Sequence, residues 1–266
     1  MLARRMSWGA RDPGLMRPDD PWAYHQGMPG VWNIAHRGAS IDRPENTLAA
    51  FEEAIRQGAD VIEADVRATS DGELLVIHDA TLDRTTNARG ALASMDYTRA
   101  RSLDAGRGER IPTPDEVMEV ARGRVRVTFD IKDHDAVDAI VAVVRELEMT
   151  DSVAFSSFLP EIGERIRAFG LASPLIQLVE SAAGLASITA RGAGTHQGIS
   201  GIGMPAKLVS AQMTERLRRH GFGVFAWTVD DPEEMQRLVA DGVNGVLTNR
   251  PGVLASVLRA QNAARP

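Results

Sequence analysis

The chain has 266 residues, of which 44% are hydrophobic and 5% aromatic, with a net charge of −6 and no cysteine. That length supports one large domain with a buried core, and the acidic balance excludes a non-specific nucleic-acid binder, which needs a basic field. Without cysteine there are no disulfides and no thiolate metal sites, and no apolar run approaches the roughly 18 residues of a membrane span.

Residues 1–30 are rich in Gly, Pro, Asp and Arg without a sustained period, and read as an N-terminal extension, loose or draped over the domain, with Trp22 and Tyr24 as its anchors. Arg4 and Arg5 are followed by no apolar core, so this is not a secretion signal and the expected location is cytoplasmic. The domain itself spans residues 31–266. Val31–Arg37 reads as a strand and Asn46–Gln57 as a helix, with Leu48, Phe51 and Ile55 on one face. Ala59–Val66 and Glu73–Asp79 follow as strands joined by a turn at Asp71-Gly72. Then come helix Pro114–Arg122, strand Val125–Lys132, helix Ala136–Glu148, strand Val153–Phe158, helix Glu161–Phe169, strand Leu175–Val179 and helix Ala182–Ala190. A weak strand near Ile199–Met204, in a Gly-rich stretch, precedes helix Ala211–His220, strand Gly223–Val229, helix Pro232–Ala240, strand Gly245–Thr248 and helix Val253–Gln261. About eight strand-then-helix units predict an α/β fold, a TIM-type (β/α)₈ barrel with a short hairpin after its second strand.

Catalytic groups of such barrels sit where the strands end. The first strand ends in His36-Arg37, the second in Glu63-x-Asp65 and the third in Asp130-x-Lys132. Residues two apart share a face, so Glu63 and Asp65 present two carboxylates together. Carboxylates held side by side repel unless a cation neutralises them, and three oxygen donors suit Mg²⁺ or Ca²⁺. If Asp71-Gly72 is a two-residue turn, His78 falls directly opposite Asp65, with Cβ atoms about 4.5–5.5 Å apart. Two imidazoles, Arg37, Lys132 and three carboxylates on one barrel mouth suit phosphodiester cleavage. The cations spread charge developing on the phosphoryl oxygens, and the histidines divide the proton transfers.

His36-Arg37-Gly38-Ala39-Ser40 and Pro44-Glu45-Asn46-Thr47 resemble the opening signature of the glycerophosphodiester phosphodiesterase family. Glu63-x-Asp65-Val66, Asp71-Gly72, His78-Asp79, Leu82-Asp83-Arg84-Thr85-Thr86, Ile111-Pro112-Thr113, Ser156-Ser157-Phe158, Ala226-Trp227-Thr228-Val229 and Gly242-Val243-x-Gly245 continue the series. The resemblance implies a divalent cation and hydrolysis of a small phosphodiester to an alcohol and glycerol 3-phosphate. A neighbouring glycerol hydroxyl would attack first, and water would then open the cyclic phosphate. It matches His36 and His78 to acid/base residues, Glu63 and Asp65 to metal ligands, and Arg37 and Lys132 to phosphate contacts. Three departures stand out. Asp130 replaces the usual Glu as third carboxylate, Asn244 and Asn249 replace aspartates with an expected structural effect, and the segment between Thr86 and Ile111 is compact.

Competing readings stay open at this point. Glu63 and Asp65 could form an internal salt bridge to Arg37, and Lys132 could only neutralise Asp130. Glu45 is expected to buttress Arg37 or its loop, and Trp227 to wall the substrate pocket or fill the barrel top. His25, His134, His196 and His220 read as surface or loop residues. Alternative functions are a lysophospholipase D-like or sugar-phosphodiester hydrolase on the same site, or a non-catalytic phosphodiester-binding barrel.

Overall fold

A computed structural model describes residues 30–171, 173–190 and 199–263. In chain order its strands are β1 (Trp32–His36), β2 (Val61–Ala68), β3 (Leu74–Val76), β4 (Arg126–Ile131), β5 (Val153–Ser157), β6 (Leu175–Leu178), β7 (Gly201–Pro205), β8 (Gly223–Trp227) and β9 (Gly245–Thr248). The order around the sheet is β1-β9-β8-β7-β6-β5-β4-β2-β3, and β1 also pairs with β2. All strands but β3 therefore close into an eight-stranded parallel barrel. The helices are α1 (Leu48–Arg56), α2 (Tyr97–Arg101), α3 (Pro114–Ala121), α4 (Val137–Glu146), α5 (Pro160–Ala168), α6 (Ala182–Ala190), α7 (Ala211–Arg219), α8 (Pro232–Ala240) and α9 (Pro251–Ala263). The expected TIM-type barrel is the observed fold. Of the extension read over residues 1–30, all but Gly30 lies outside the described residues, Trp22, Tyr24 and His25 included, as does His196.

Apolar alternation explains the layers. Outward strand residues such as Phe129 and Phe155 pack with Phe51 of α1 and Ile140 of α4, all fully buried, each contributing about 1.5–3 kcal/mol of hydrophobic stabilisation. The interior is filled by Ile34, Val61, Ala154, Ile176, Leu178 and Phe225. The Gly-rich strand is weak in sequence because its glycines make room for that filling. A Cβ on Gly201 would come within 2.6 Å of Phe225, and one on Gly203 within 2.5 Å of Leu178. Among the described residues, no helix is long and apolar enough to cross a membrane.

The hairpin differs from expectation. Strands β2 and β3 pair Val66 with Val76, Arg67 with Leu75 and Ala68 with Leu74, one residue out of the predicted register. The Thr69 N–H donates to the Glu73 carbonyl, and Gly72 takes φ +85°. Ser70, Asp71 and Gly72 thus form a three-residue loop with a left-handed glycine, which slips the ladder by one. Ile77, not His78, lies opposite Asp65, its N–H donating to the Asp65 carbonyl at 2.9 Å. Strand β3 stops at Val76 rather than Asp79. The segment between Thr86 and Ile111, expected to be compact, forms α2, and its Leu92 and Met95 pack in a small apolar cluster with Leu75, Ile77, Leu82 and Ile111.

Candidate active site

The first βα turn is built on backbone strain. Arg37 adopts φ +58° and Gly38 φ +83°, and a Cβ on Gly38 would lie 2.6 Å from the backbone of Ala50. This turn sends the Arg37 N–H to Glu63 Oε2 at 2.9 Å. It also brings the guanidinium to Glu45 at 2.9 Å and to Asp65 at 3.1 Å. Glu45 buttresses Arg37 as expected. Gly38→Ala combines left-handed strain with a clash against helix backbone that cannot rotate away, so a destabilisation of about 2–3 kcal/mol is expected in chemical denaturation. A loss below about 0.5 kcal/mol, the size of an ordinary surface change, would contradict this account of the turn.

Parallel register then sets the acids side by side. His36 is the cross-strand partner of Glu63, and Asp65 of Asp130. Glu63, Asp65 and Asp130 are all buried and can each offer an oxygen within 4.8 Å of the others. Two fixed cations face these three carboxylates: Arg37, and Lys132, whose ammonium lies 2.8 Å from Asp65 and bonds Asp130. The salt-bridge reading is therefore right in part, and it leaves charge uncompensated. Burial pushes the Glu63 carboxyl well above its ordinary range, reinforced by Asp65 and Asp130. Burial likewise raises Asp130 to about 6 against the pull of Lys132. Burial would raise Asp65 too, but the fixed charges of Lys132 and Arg37 outweigh it and hold that group ionised. Asn46, in the left-handed region at φ +56°, donates from Nδ2 to Asp65 Oδ2 at 2.8 Å. Asp130 Oδ1 is buried with no hydrogen-bond partner.

The histidines arrive by different routes. His36 closes β1, and its Nδ1 lies 2.8 Å from Asn249 Oδ1. His78 is carried by the loop beyond β3, where Arg67 holds its carbonyl at 2.7 Å and Asp79 its Nδ1 at 2.6 Å. Arg84 grips both Asp79 and Glu45, tying the His78 loop to the first turn. Burial lowers the pKa of both imidazoles below the ordinary value, with the Arg37 charge adding to it in each. His36, Arg37, Glu63, His78, Asp130 and Lys132 line one cavity of about 240 Å³, and Trp227 completes its wall. Trp227 meets Phe158 edge-on at 5.6 Å, and the Lys132 ammonium sits 5.8 Å above the Phe158 ring.

Every predicted site residue thus lies at this mouth, His78 despite the wrong register. His134 and His220 are exposed, as expected. Asn244 is structural as expected, accepting from the Val224 N–H at 2.9 Å. Asn249 corrects the expectation, because it touches His36 directly. Sequence reasoning missed roles for Asn46, Asn249 and Phe158. An aspartate or asparagine closing the last strand was a signal for Asn249, and an aromatic following the small Ser156-Ser157 pair was one for Phe158.

Comparison with known proteins agrees. The sequence model of the glycerophosphoryl diester phosphodiesterase family matches residues 36–253. A glycerophosphodiester phosphodiesterase of Caldanaerobacter subterraneus is 33% identical over 85% of this chain and 97% of its own length. A probable glycerophosphodiester phosphodiesterase 2 of Mycobacterium tuberculosis is 34% identical over 86% of this chain and 90% of its own. Among solved structures, the glycerophosphodiester phosphodiesterase of Agrobacterium tumefaciens superposes with a TM-score of 0.75 at 30% identity, covering 85% of this chain and all of the other. An Oleispira antarctica phosphodiesterase, solved with the product sn-glycerol-3-phosphate, gives 0.78 at 26% identity over 85% and 96%. With the acids, histidines and cations gathered at one mouth, these matches set aside a non-catalytic barrel: the chain belongs to the glycerophosphoryl diester phosphodiesterase family and is a phosphoric diester hydrolase.

Proposed function

We propose that the protein hydrolyses glycerophosphodiesters to an alcohol and glycerol 3-phosphate, with a divalent cation, Mg²⁺ or Ca²⁺, held by Glu63, Asp65 and Asp130. The observation that carries this is the convergence of three buried carboxylates and two Nδ1-anchored imidazoles on one cavity. The donor set fits a hard cation. Its oxygens reach one another within 4.8 Å, about the span of two ligands on one ion at 2.0–2.6 Å each, so Asp130 reaches despite its missing methylene. The orphaned Asp130 Oδ1 supplies a free lone pair. When bound, the cation supplies Lewis-acid stabilisation of phosphoryl charge.

The chain's own groups do the rest. Arg37 and Lys132 hold the phosphoryl oxygens, and their positive charges favour the more anionic transition state. One imidazole, neutral, accepts the proton of the attacking hydroxyl, and the other, which must first carry a second proton, delivers it to the leaving alkoxide. The Phe158–Trp227 pair walls the substrate.

One observation favours a second substrate class. A cavity of about 430 Å³ shares Phe158, Leu178 and Glu180 with the site, and its lining is mixed, with Val179, Ile188 and Ile199 giving it apolar surface beside Arg167 and Gln177. That volume accommodates a drug-sized group, which suits the acyl chain of a lysophospholipid substrate, the part that stays with the phosphate when the headgroup alcohol leaves. One experiment tests both readings: detection of glycerol 3-phosphate from glycerophosphocholine and of lysophosphatidic acid from lysophosphatidylcholine, each with and without EDTA. Chelator-sensitive release from glycerophosphocholine is expected. A preference for the lysolipid moves the assignment to the second class, and turnover unaffected by EDTA removes the cation from it.

A further inference from the structure

We propose that Asn249, held by Asp230, is a positioning residue that fixes His36 as its Nδ1–H tautomer and leaves Nε2 as the lone-pair nitrogen. This rests on the reading of His36 as a proton-transfer group.

The chain of contacts leaves no freedom. Asp230 Oδ1 accepts the Asn249 backbone N–H at 2.8 Å and the Thr248 hydroxyl at 3.0 Å, which fixes the carboxylate. Asp230 Oδ2 lies 2.7 Å from Asn249 Nδ2. A carboxylate only accepts, so the amide nitrogen must face it and the amide oxygen must face away. That oxygen takes the Ser40 hydroxyl at 2.8 Å and meets His36 Nδ1 at 2.8 Å. A carbonyl oxygen also only accepts, so His36 Nδ1 must carry the proton. Ser40 Oγ lies 3.0 Å from the His36 carbonyl as well, closing the group onto β1. The last strand and the β8–α8 loop therefore dictate the tautomer of a residue on the first strand. His78 is held by a carboxylate instead, so the two imidazoles are not equivalent.

The test reads the tautomer directly, by ¹⁵N side-chain NMR of the metal-free protein labelled at its six histidines, with His36 assigned from its absence in His36→Gln. Wild type is expected to show Nδ1–H. Asn249→Leu removes the acceptor and should shift His36 towards Nε2–H, lowering kcat about 10- to 100-fold with KM within about twofold, the pattern of a lost transition-state role. Asp230→Asn, which never touches His36, should loosen the amide and mix the tautomers. The swap Asn249→Asp with Asp230→Asn keeps an acceptor facing Nδ1 and should restore both the tautomer and most of kcat. Nδ1–H retained in Asn249→Leu, or a swap no better than that variant, overturns the proposal. Because the tautomer is read in the resting protein, an Nε2–H wild type overturns it even in an active enzyme. Absence of hydrolysis with an intact Nδ1–H signal counts against the functional reading alone.

Discussion

Replacing either His36 or His78 by alanine is expected to lower kcat for glycerophosphocholine hydrolysis about 10²- to 10⁴-fold, the range over which positioned general acids and bases act. The fold should survive. His36 contributes one hydrogen bond, to Asn249, worth about 1 kcal/mol, which corresponds to a melting shift of about 2–4 °C for a domain of this size. His78 has a side chain 34% exposed and lies on a loop, so its removal opens no core cavity. Burial and Arg37 lower the pKa of both imidazoles, which favours the neutral form the base needs and makes the protonated form of the other a stronger acid. KM should change little, because the cations rather than the histidines hold the phosphate. If the two act in one proton circuit, the double variant will cost scarcely more than the worse single one. Steady-state kinetics with circular dichroism on all three proteins checks this. A single variant keeping more than about a tenth of wild-type kcat would take that histidine out of the chemistry, given the size of such effects.

The parts of this site that sequence discloses are those governed by short-range periodicity. Strand ends fall where apolar runs stop, which places His36 and Asp130; Glu63 and Asp65 share the predicted face but lie within β2, which runs on to Ala68 to pair with β3 instead of ending beside them. The hairpin could not be counted correctly, because Asp71-Gly72 suits a two-residue turn as well as the end of a three-residue one. Only the pairing of Val66 with Val76 decides between them. His78 still reaches the mouth because it leaves the ladder before register matters. The weak strand at Gly201–Pro205 has little apolar signal because the bulk it lacks is supplied by Leu178 and Phe225. The contact between His36 and Asn249 spans 213 positions. Barrel closure alone brings those residues together, and no local pattern encodes it.

Cation binding should depend on pH in a direction set by Glu63. In the cation-free protein burial and its acidic neighbours raise the Glu63 pKa well above the ordinary 4.5, and Asp130 rises from 3.8 to about 6. Between the ordinary and the raised values the folded state binds more protons than the unfolded chain. The stability these two groups contribute is thus full below about pH 4 and is lost as pH rises through the folded values. A divalent cation must displace those protons, so its affinity should climb with pH over the same window, by up to about tenfold per unit for each proton released. At 100 times Kd the linkage is worth about 2.7 kcal/mol, or a melting gain of about 5–10 °C in a domain this large. That gain should rise with pH, and be larger at pH 8 than at pH 5. Glu63→Gln should remove most of it, and should melt no lower than wild type in EDTA at the high end of the range, because burial and its acidic neighbours make an ionised Glu63 a liability. Thermal melts with Mg²⁺, Ca²⁺ or EDTA across this range read both effects. A gain independent of pH, or one undiminished in Glu63→Gln, would mean that the ion binds elsewhere and that the three carboxylates are only a salt-bridge cluster with Arg37 and Lys132.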